Sequence, residues 1–371
     1  MDSAEEVLPD RSLLAFATSD IETDPPLIVA SSQCPFYTKD RVLLNVECFG
    51  PIYNGTNVNN NASDVDDDGS SHNGNNNTTD EWPILLYVHG ICESAVTQGV
   101  QTLAQYCAKH CWRLIVLELA GHGLSDNISG KKGRATCPNF DQLVQHVVEF
   151  TLHIEKKFSQ SKGMVLSGGS LGGALVVYAV QDIISERSRV TDTTNNSSNI
   201  PNFYGIALLA PALGINIRAI PPSPVVLALR ALSFILPSQG ILTPVEHSEY
   251  YAYPVSSTRN FSGQWPLSTS SMLLDLTSVR VLDDVKKNLV HSQLEGLSSL
   301  LVIAGEKDEI VPLQNVLDWY ESSGICEKEL IVVKGAGHGF FHERDRKSKN
   351  AFENLFEWLD SRASNKTKIA P

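Results

Sequence analysis

Residues 164–180 read Met-Val-Leu-Ser-Gly-Gly-Ser-Leu-Gly-Gly-Ala-Leu-Val-Val-Tyr-Ala-Val, and this order decides the fold. Met164 to Ser167 make a short apolar strand, and Gly173 to Val180 continue as an apolar helix. Between them, Gly168-Gly169-Ser170-Leu171-Gly172 fits the pattern Gly-x-Ser-x-Gly. A strand that turns into a helix so sharply holds the serine hydroxyl clear of the backbone. It needs small neighbours because the chain passes close to itself. The bland alternative is a Gly/Ser-rich turn with no chemistry.

The same strand-then-helix unit recurs on both sides. Residues 41–49 partly alternate and predict an early strand, and Ile84-Leu85-Leu86-Tyr87-Val88 reads as a buried strand ending at His89-Gly90. Helical patterns over 97–110, 139–158 and 171–186 lead to strands at 113–119, 163–167 and 203–209, the last across a polar loop at 188–200. The rhythm returns later as strand 299–304, helix 312–322, strand 329–333 and helix 349–360. Strands alternating with helices require right-handed crossovers, and so an α/β fold with a mostly parallel, doubly wound sheet.

The interruptions set the organisation. Residues 1–26 are acidic and predict a flexible N-terminal segment; 27–210 form the first part of the core. Within it, 54–81 is rich in Asn, Asp, Gly, Ser and Thr and has too few apolar side chains to offset its ordering entropy, which predicts a disordered loop. Residues 211–296 are proline-rich and irregular and predict a cap or lid inserted before the second part of the core, 297–371. The apolar run from Val225 to Leu236, interrupted by Arg230, has three readings. It packs the cap on the core, lines an acyl pocket, or touches a membrane surface.

A net charge of −13 repels nucleic acid and argues against broad electrostatic binding to anionic membranes. The acidic N-terminus lacks the features of a secretion signal, and no run is long enough to span a membrane. Seven cysteines with no Cys-x-x-Cys pair read as reduced, cytoplasmic thiols; Cys107 and Cys111, on one expected helix, read as core rather than metal ligands. Sequons such as Asn127-Ile128-Ser129 are then a by-product of Asn-rich composition.

Ligands of open α/β sheets gather at the carboxyl ends of the strands. Asp308 lies there, after Leu301-Val302-Ile303-Ala304-Gly305, and so does His338, after Leu330-Ile331-Val332-Val333. With Ser170 they follow the chain order serine, acid, histidine that such a fold uses for nucleophilic catalysis. A hydroxyl needs an imidazole to take its proton, and a carboxylate to orient the imidazole. Alternatives are Asp308 as a helix cap, Glu306 or Glu309 as the acid, and His342 as the base. The backbone N–H groups of Leu171 and Ile91 are the candidate oxyanion hole. His89 reads as a turn-stabilising residue, and His122 is set aside as a base.

Together His89-Gly90, Glu118-x-x-Gly121-x-Gly123-x-Ser125, Gly168-x-Ser170-x-Gly172, Gly305-x-x-Asp308-x-x-Val311-Pro312 and Gly337-His338 resemble the α/β-hydrolase superfamily. The closer resemblance is to its monoacylglycerol lipase / lysophospholipase-like branch, grouped with the serine aminopeptidases of S33 type. Two positions depart from that branch, which usually has Asp at Glu118 and a larger residue, often His, at Gly169. The resemblance implies a carboxylic ester hydrolase with an acyl-serine intermediate, a helical cap, and no metal or organic cofactor. It implies a small-molecule acyl ester such as a monoacylglycerol or lysophospholipid as substrate. Rival readings are a serine aminopeptidase, an acyltransferase and a non-catalytic small-ligand receptor; oligomeric state is open.

Overall fold

A computed structural model describes residues 29–51, 82–128, 135–137, 139–193, 202–242, 264–342 and 346–365. The expected flexible segment 1–26 and the Asn-rich loop 54–81 lie outside the described residues. In chain order the first half holds β1 (Val29–Gln33), β2 (Phe36–Tyr37), β3 (Leu43–Leu44), β4 (Val46–Pro51), β5 (Ile84–Val88), α1 (Gln98–Lys109), β6 (Arg113–Leu117) and α2 (Phe140–Lys157). Then come β7 (Gly163–Gly169), α3 (Leu171–Thr193), β8 (Asn202–Leu209), α4 (Ser223–Ile235), β9 (Gly240–Leu242), β10 (Gln264–Pro266) and α5 (Leu267–Asp275). The last elements are α6 (Val281–Lys286), α7 (Val290–Gln293), β11 (Leu300–Gly305), α8 (Leu313–Ser322), β12 (Lys328–Val333) and α9 (Arg346–Asn365).

Eight of the described strands form one sheet, ordered β1-β4-β6-β5-β7-β8-β11-β12, and β2 pairs with β3 apart from it. It is parallel from β6 to β12; β1 and β4 run antiparallel at one edge. Alternate residues face opposite ways. Leu86, Leu166 and Val302 meet the layer of α2, α3 and α8, while Leu85, Val165 and Leu301 meet α1 and α9. Register then decides where the loops emerge. Val88 pairs with Leu117 and Gly168, Gly169 with Leu209, Leu209 with Ile303, and Gly305 with Val333. The residues just past these strands therefore share one rim of the sheet.

Several elements differ from the sequence reading for local reasons. The strand expected over 41–49 breaks at Asn45, whose backbone N–H donates to Ser125 Oγ (2.8 Å) and whose amide donates to Glu118 Oε2 (2.9 Å). β1 and β2 had no sequence signal, since Val-Ala-Ser-Ser-Gln has no apolar alternation. α3 runs on to Thr193, into the stretch read as a loop. Cys107 is buried on α1, but Cys111 lies past the helix end, exposed, with a left-handed φ of 60°.

Between β8 and β11 the chain leaves the sheet. α4 lies on α5, with Arg230 paired to Asp275, and β9 and β10 form a two-stranded ribbon. Thr269 ties the excursion down by accepting from Cys137 N (2.8 Å) and donating to Ala135 O. A π-helical turn, Leu276–Arg280, joins α5 to α6. No α4 side chain is buried, so this run does not pack the excursion onto the core.

Candidate active site

Ser170 sits between β7 and α3 with φ 48°, a left-handed conformation rare for a residue with a side chain. The neighbouring glycines are required by contact. A Cβ on Gly172 would lie 2.0 Å from Val88 O, and one on Gly168 would lie 2.4 Å from the carbonyl of Gly172. The Ser170 N–H donates to Leu209 O (3.0 Å), which holds the strained turn against β8.

Three side chains converge on this rim. His338 Nε2 is 2.9 Å from Ser170 Oγ, and its Nδ1 is 2.7 Å from Asp308 Oδ2. The other oxygen of Asp308 accepts from Ile310 N (2.9 Å) and Val311 N (2.8 Å). One carboxylate thus shapes the turn leading into α8 and also faces the imidazole; Pro312 stands at the α8 cap without a side-chain bond. Glu306 and Glu309 are exposed, and Glu306 accepts from Gly335 N (2.7 Å). His342 closes the short turn Phe340–His342.

Burial pulls the His338 imidazole down, but the charge and hydrogen bond of Asp308, with the charge of Glu93, outweigh it, so its pKa is raised. With Nδ1–H donated to Asp308, the neutral ring presents Nε2 as an acceptor to the Ser170 hydroxyl. The arrangement can draw a proton from Ser170 and hold it on the ring.

The serine opens onto a cavity of about 110 Å³. Ile91, Leu209, Ile310, Val311 and Phe341 line it from the sheet rim; Ala212, Ile215, Trp265, Leu273 and Thr277 come from the excursion. Ile91 therefore borders the cavity beside Ser170, and Leu171 opens α3 directly behind it. The amide end of a helix favours developing negative charge.

Glu93, absent from the sequence reading, also lines the cavity and accepts from Gly90 N at 3.0 Å. Its only sequence signal is an acidic residue in the loop straight after β5, at a strand end. The two departures from the resembled branch have steric partners. A Cβ on Gly169 would lie 2.5 Å from the Tyr87 hydroxyl, so Tyr87 fills the space. Glu118 is buried and accepts from Asn45 Nδ2 (2.9 Å), Ala95 N (3.0 Å) and Leu124 N (2.7 Å). The longer acid fits because Gly123, with φ 50°, leaves room where a Cβ would come 2.1 Å from the carboxyl carbon. His89 bridges the turn, with Nδ1 2.7 Å from Gly90 O and Nε2 accepting from Leu119 N (3.1 Å). His122 packs beside His89, ring centroids 5.2 Å apart.

A mostly parallel sheet with helices on both faces and a serine on a strand-to-helix elbow defines an α/β hydrolase fold. Residues 82–345 match the serine aminopeptidase, S33 family, and the chain belongs to it. No curated protein matches the chain in sequence. A soluble variant of monoglyceride lipase from Saccharomyces cerevisiae, bound to a substrate analogue, shares the fold with TM-score 0.62 and 12% identity over 90% of this chain and 97% of that one. The monoacylglycerol lipase of Paleococcus ferrophilus gives 0.51 and 18% over 75% and 94%. A carboxylesterase structure from the Thaumarchaeon Nitrososphaera gargenis gives 0.54 and 14% over 90% and 100%.

Proposed function

We propose that the chain is a serine hydrolase of carboxylic esters, with fatty-acyl esters such as monoacylglycerols or lysophospholipids as its substrate class. The observation that carries the reading is the hydrogen-bonded series Ser170, His338, Asp308 facing a cavity lined largely by apolar side chains. Ser170 Oγ attacks the acyl carbonyl while His338 Nε2 takes its proton. The amides of Ile91 and Leu171 hold the oxyanion. His338 returns the proton to the departing alcohol, and the acyl group stays on Ser170. Water then attacks the acyl-serine with His338 again as base, releasing the acid. Asp308 orients the ring and stabilises the imidazolium.

The reading includes a lipid surface. α4 exposes Phe234 (89%), Ile235 (70%) and Leu227 (69%), an apolar face suited to a zwitterionic membrane from which an acyl ester is drawn. No described helix is long and apolar enough to cross a membrane. The odd, scattered cysteine set supports a cytoplasmic setting. A second reading, a serine aminopeptidase, is favoured by Glu93, whose carboxylate in the cavity suits a substrate amine.

The test is fluorophosphonate labelling of the purified chain, followed by acyl esters graded in length beside aminoacyl-arylamides. Labelling abolished by Ser170→Ala, with ester turnover dominant, is expected. Dominant arylamide turnover selects the second reading, and labelling that survives Ser170→Ala overturns the nucleophile.

A further inference from the structure

Outside the lining of the cavity, two cysteines lie at the antiparallel edge of the sheet. β1 pairs Ser32 with Cys48, and the Cys34 N–H donates to Val46 O at 2.7 Å, extending that register. Residues two apart on a strand share a face, so Cys34 and Cys48 are diagonal neighbours on one face. The two side chains face each other, and a hydrogen bond between them is the largest influence on the proton of each. Lys157, in the last turn of α2, places Nζ 2.9 Å from Cys34 Sγ. His153 stacks on Phe36 nearby with ring centroids 5.0 Å apart, and Arg113 adds positive charge on the Cys48 side. Cys48 is buried, whereas Cys34 is half-buried and reaches solvent.

The environment divides the roles. The hydrogen bond from Cys48 favours a thiolate at Cys34; partial burial opposes it, but the bond and charge of Lys157 help bring Cys34 down to about 5. The same hydrogen bond, with burial, pushes Cys48 well up, so it keeps its proton. An accessible thiolate beside a protonated thiol is the arrangement that reacts with peroxide and then resolves.

We propose that Cys34 and Cys48 form a peroxide-reactive dithiol, with Cys34 attacking and Cys48 resolving. The Cys34 thiolate attacks one oxygen of hydrogen peroxide and the O–O bond breaks. Cys34 becomes a sulfenic acid, and the second oxygen leaves as hydroxide and is protonated to water. Loss of the thiolate charge removes what held the Cys48 proton. That proton goes to the sulfenic hydroxyl, the Cys48 sulfur attacks Cys34, and water leaves as the S–S bond forms. Two thiols lose two electrons and one peroxide becomes two waters. Diagonal neighbours stand about 7 Å apart, at the upper edge of disulfide reach. Closure therefore moves Cys34, which lies beyond the end of β1, by about an ångström.

The test uses the reduced full-length chain and peptide mass spectrometry. Cys34 is expected to alkylate at about pH 6 at least tenfold faster than the exposed Cys111 and Cys326. Hydrogen peroxide is expected to give a Cys34–Cys48 linked peptide that dithiothreitol reverses. Lys157→Met slows both reactions, and Cys48→Ser leaves a dimedone-trapped sulfenic acid at Cys34. Because Cys48 is buried and its variant is a folding risk, the wild-type chain decides. Alkylation of Cys34 no faster than that of Cys111 and Cys326 overturns the proposal. So does loss of the Cys34 thiol to peroxide without the Cys34–Cys48 link.

Discussion

Replacing Asp308 with Asn tests the proposed mechanism at the atom that sets the histidine tautomer. Oδ1 of Asp308 is held by two donors, Ile310 N and Val311 N, while Oδ2 accepts from His338. An asparagine has one oxygen, and the two amides hold it in the Oδ1 place. Its NH2 then faces His338 Nδ1, which must accept, so the proton moves to Nε2 and Ser170 loses its base. Flipping the side chain restores the tautomer but leaves both amides unsatisfied. At about 1–3 kcal/mol for each buried orphan donor, the flip costs about 4 kcal/mol. The productive arrangement is then populated about a thousandfold less. Loss of the carboxylate charge beside the imidazolium brings the expected fall in kcat to about 1,000- to 10,000-fold. The thermal midpoint should hardly move, because both amide bonds survive; Asp308→Ala loses them and should lower it by a few degrees. The assay is hydrolysis of a soluble acyl ester with the rate of fluorophosphonate labelling alongside. Activity of the Asp308→Asn variant within about tenfold of wild type would refute the assignment of Asp308.

The raised pKa of His338 places the acid limb of kcat/KM above the ordinary histidine value of about 6.5, with activity lost as pH falls through it. Glu93→Gln keeps an acceptor for Gly90 N but removes a charge, so the limb should shift toward lower pH; an unmoved limb excludes Glu93 from the electrostatics of His338. Gly123→Ala should destabilise by about 4 kcal/mol, through its left-handed φ and displacement of Glu118 from its three donors. In a Glu118→Asp background the same change should cost only about 1–2 kcal/mol, and additivity in urea melts argues against the steric pairing. The double variant Leu227→Glu, Phe234→Glu should weaken partitioning to phosphatidylcholine vesicles at least about tenfold and spare hydrolysis of a soluble ester; unchanged partitioning removes α4 from the lipid surface.

Legibility in the sequence followed how local the determining contact is. The elbow around Ser170 is readable because its glycines are demanded by neighbours within the motif and by the adjacent strand. The strand-end positions of Asp308 and His338 are readable because each follows an unbroken apolar run. Asn45 is hidden inside Leu-Leu-Asn-Val, since its break depends on Glu118 and Ser125, far along the chain. Glu93 is missed for the same reason: its place in the cavity depends on loop geometry and not on any periodicity. For α4, composition gives an apolar run and leaves open which surface it meets; the structure makes it a helix whose side chains turn outward.

The step of 168 positions from Ser170 to His338 also bears on synthesis. A chain emerging from the ribosome completes its elbow long before the imidazole that would activate it exists. Through that interval, β5, β6 and β7 can already pair while the serine stays inert. On the proposed mechanism, activity therefore switches on only when β12 has joined β11 and delivered the histidine. On that mechanism a product truncated between the two carries the proposed nucleophile without its base, and an aborted translation is silent.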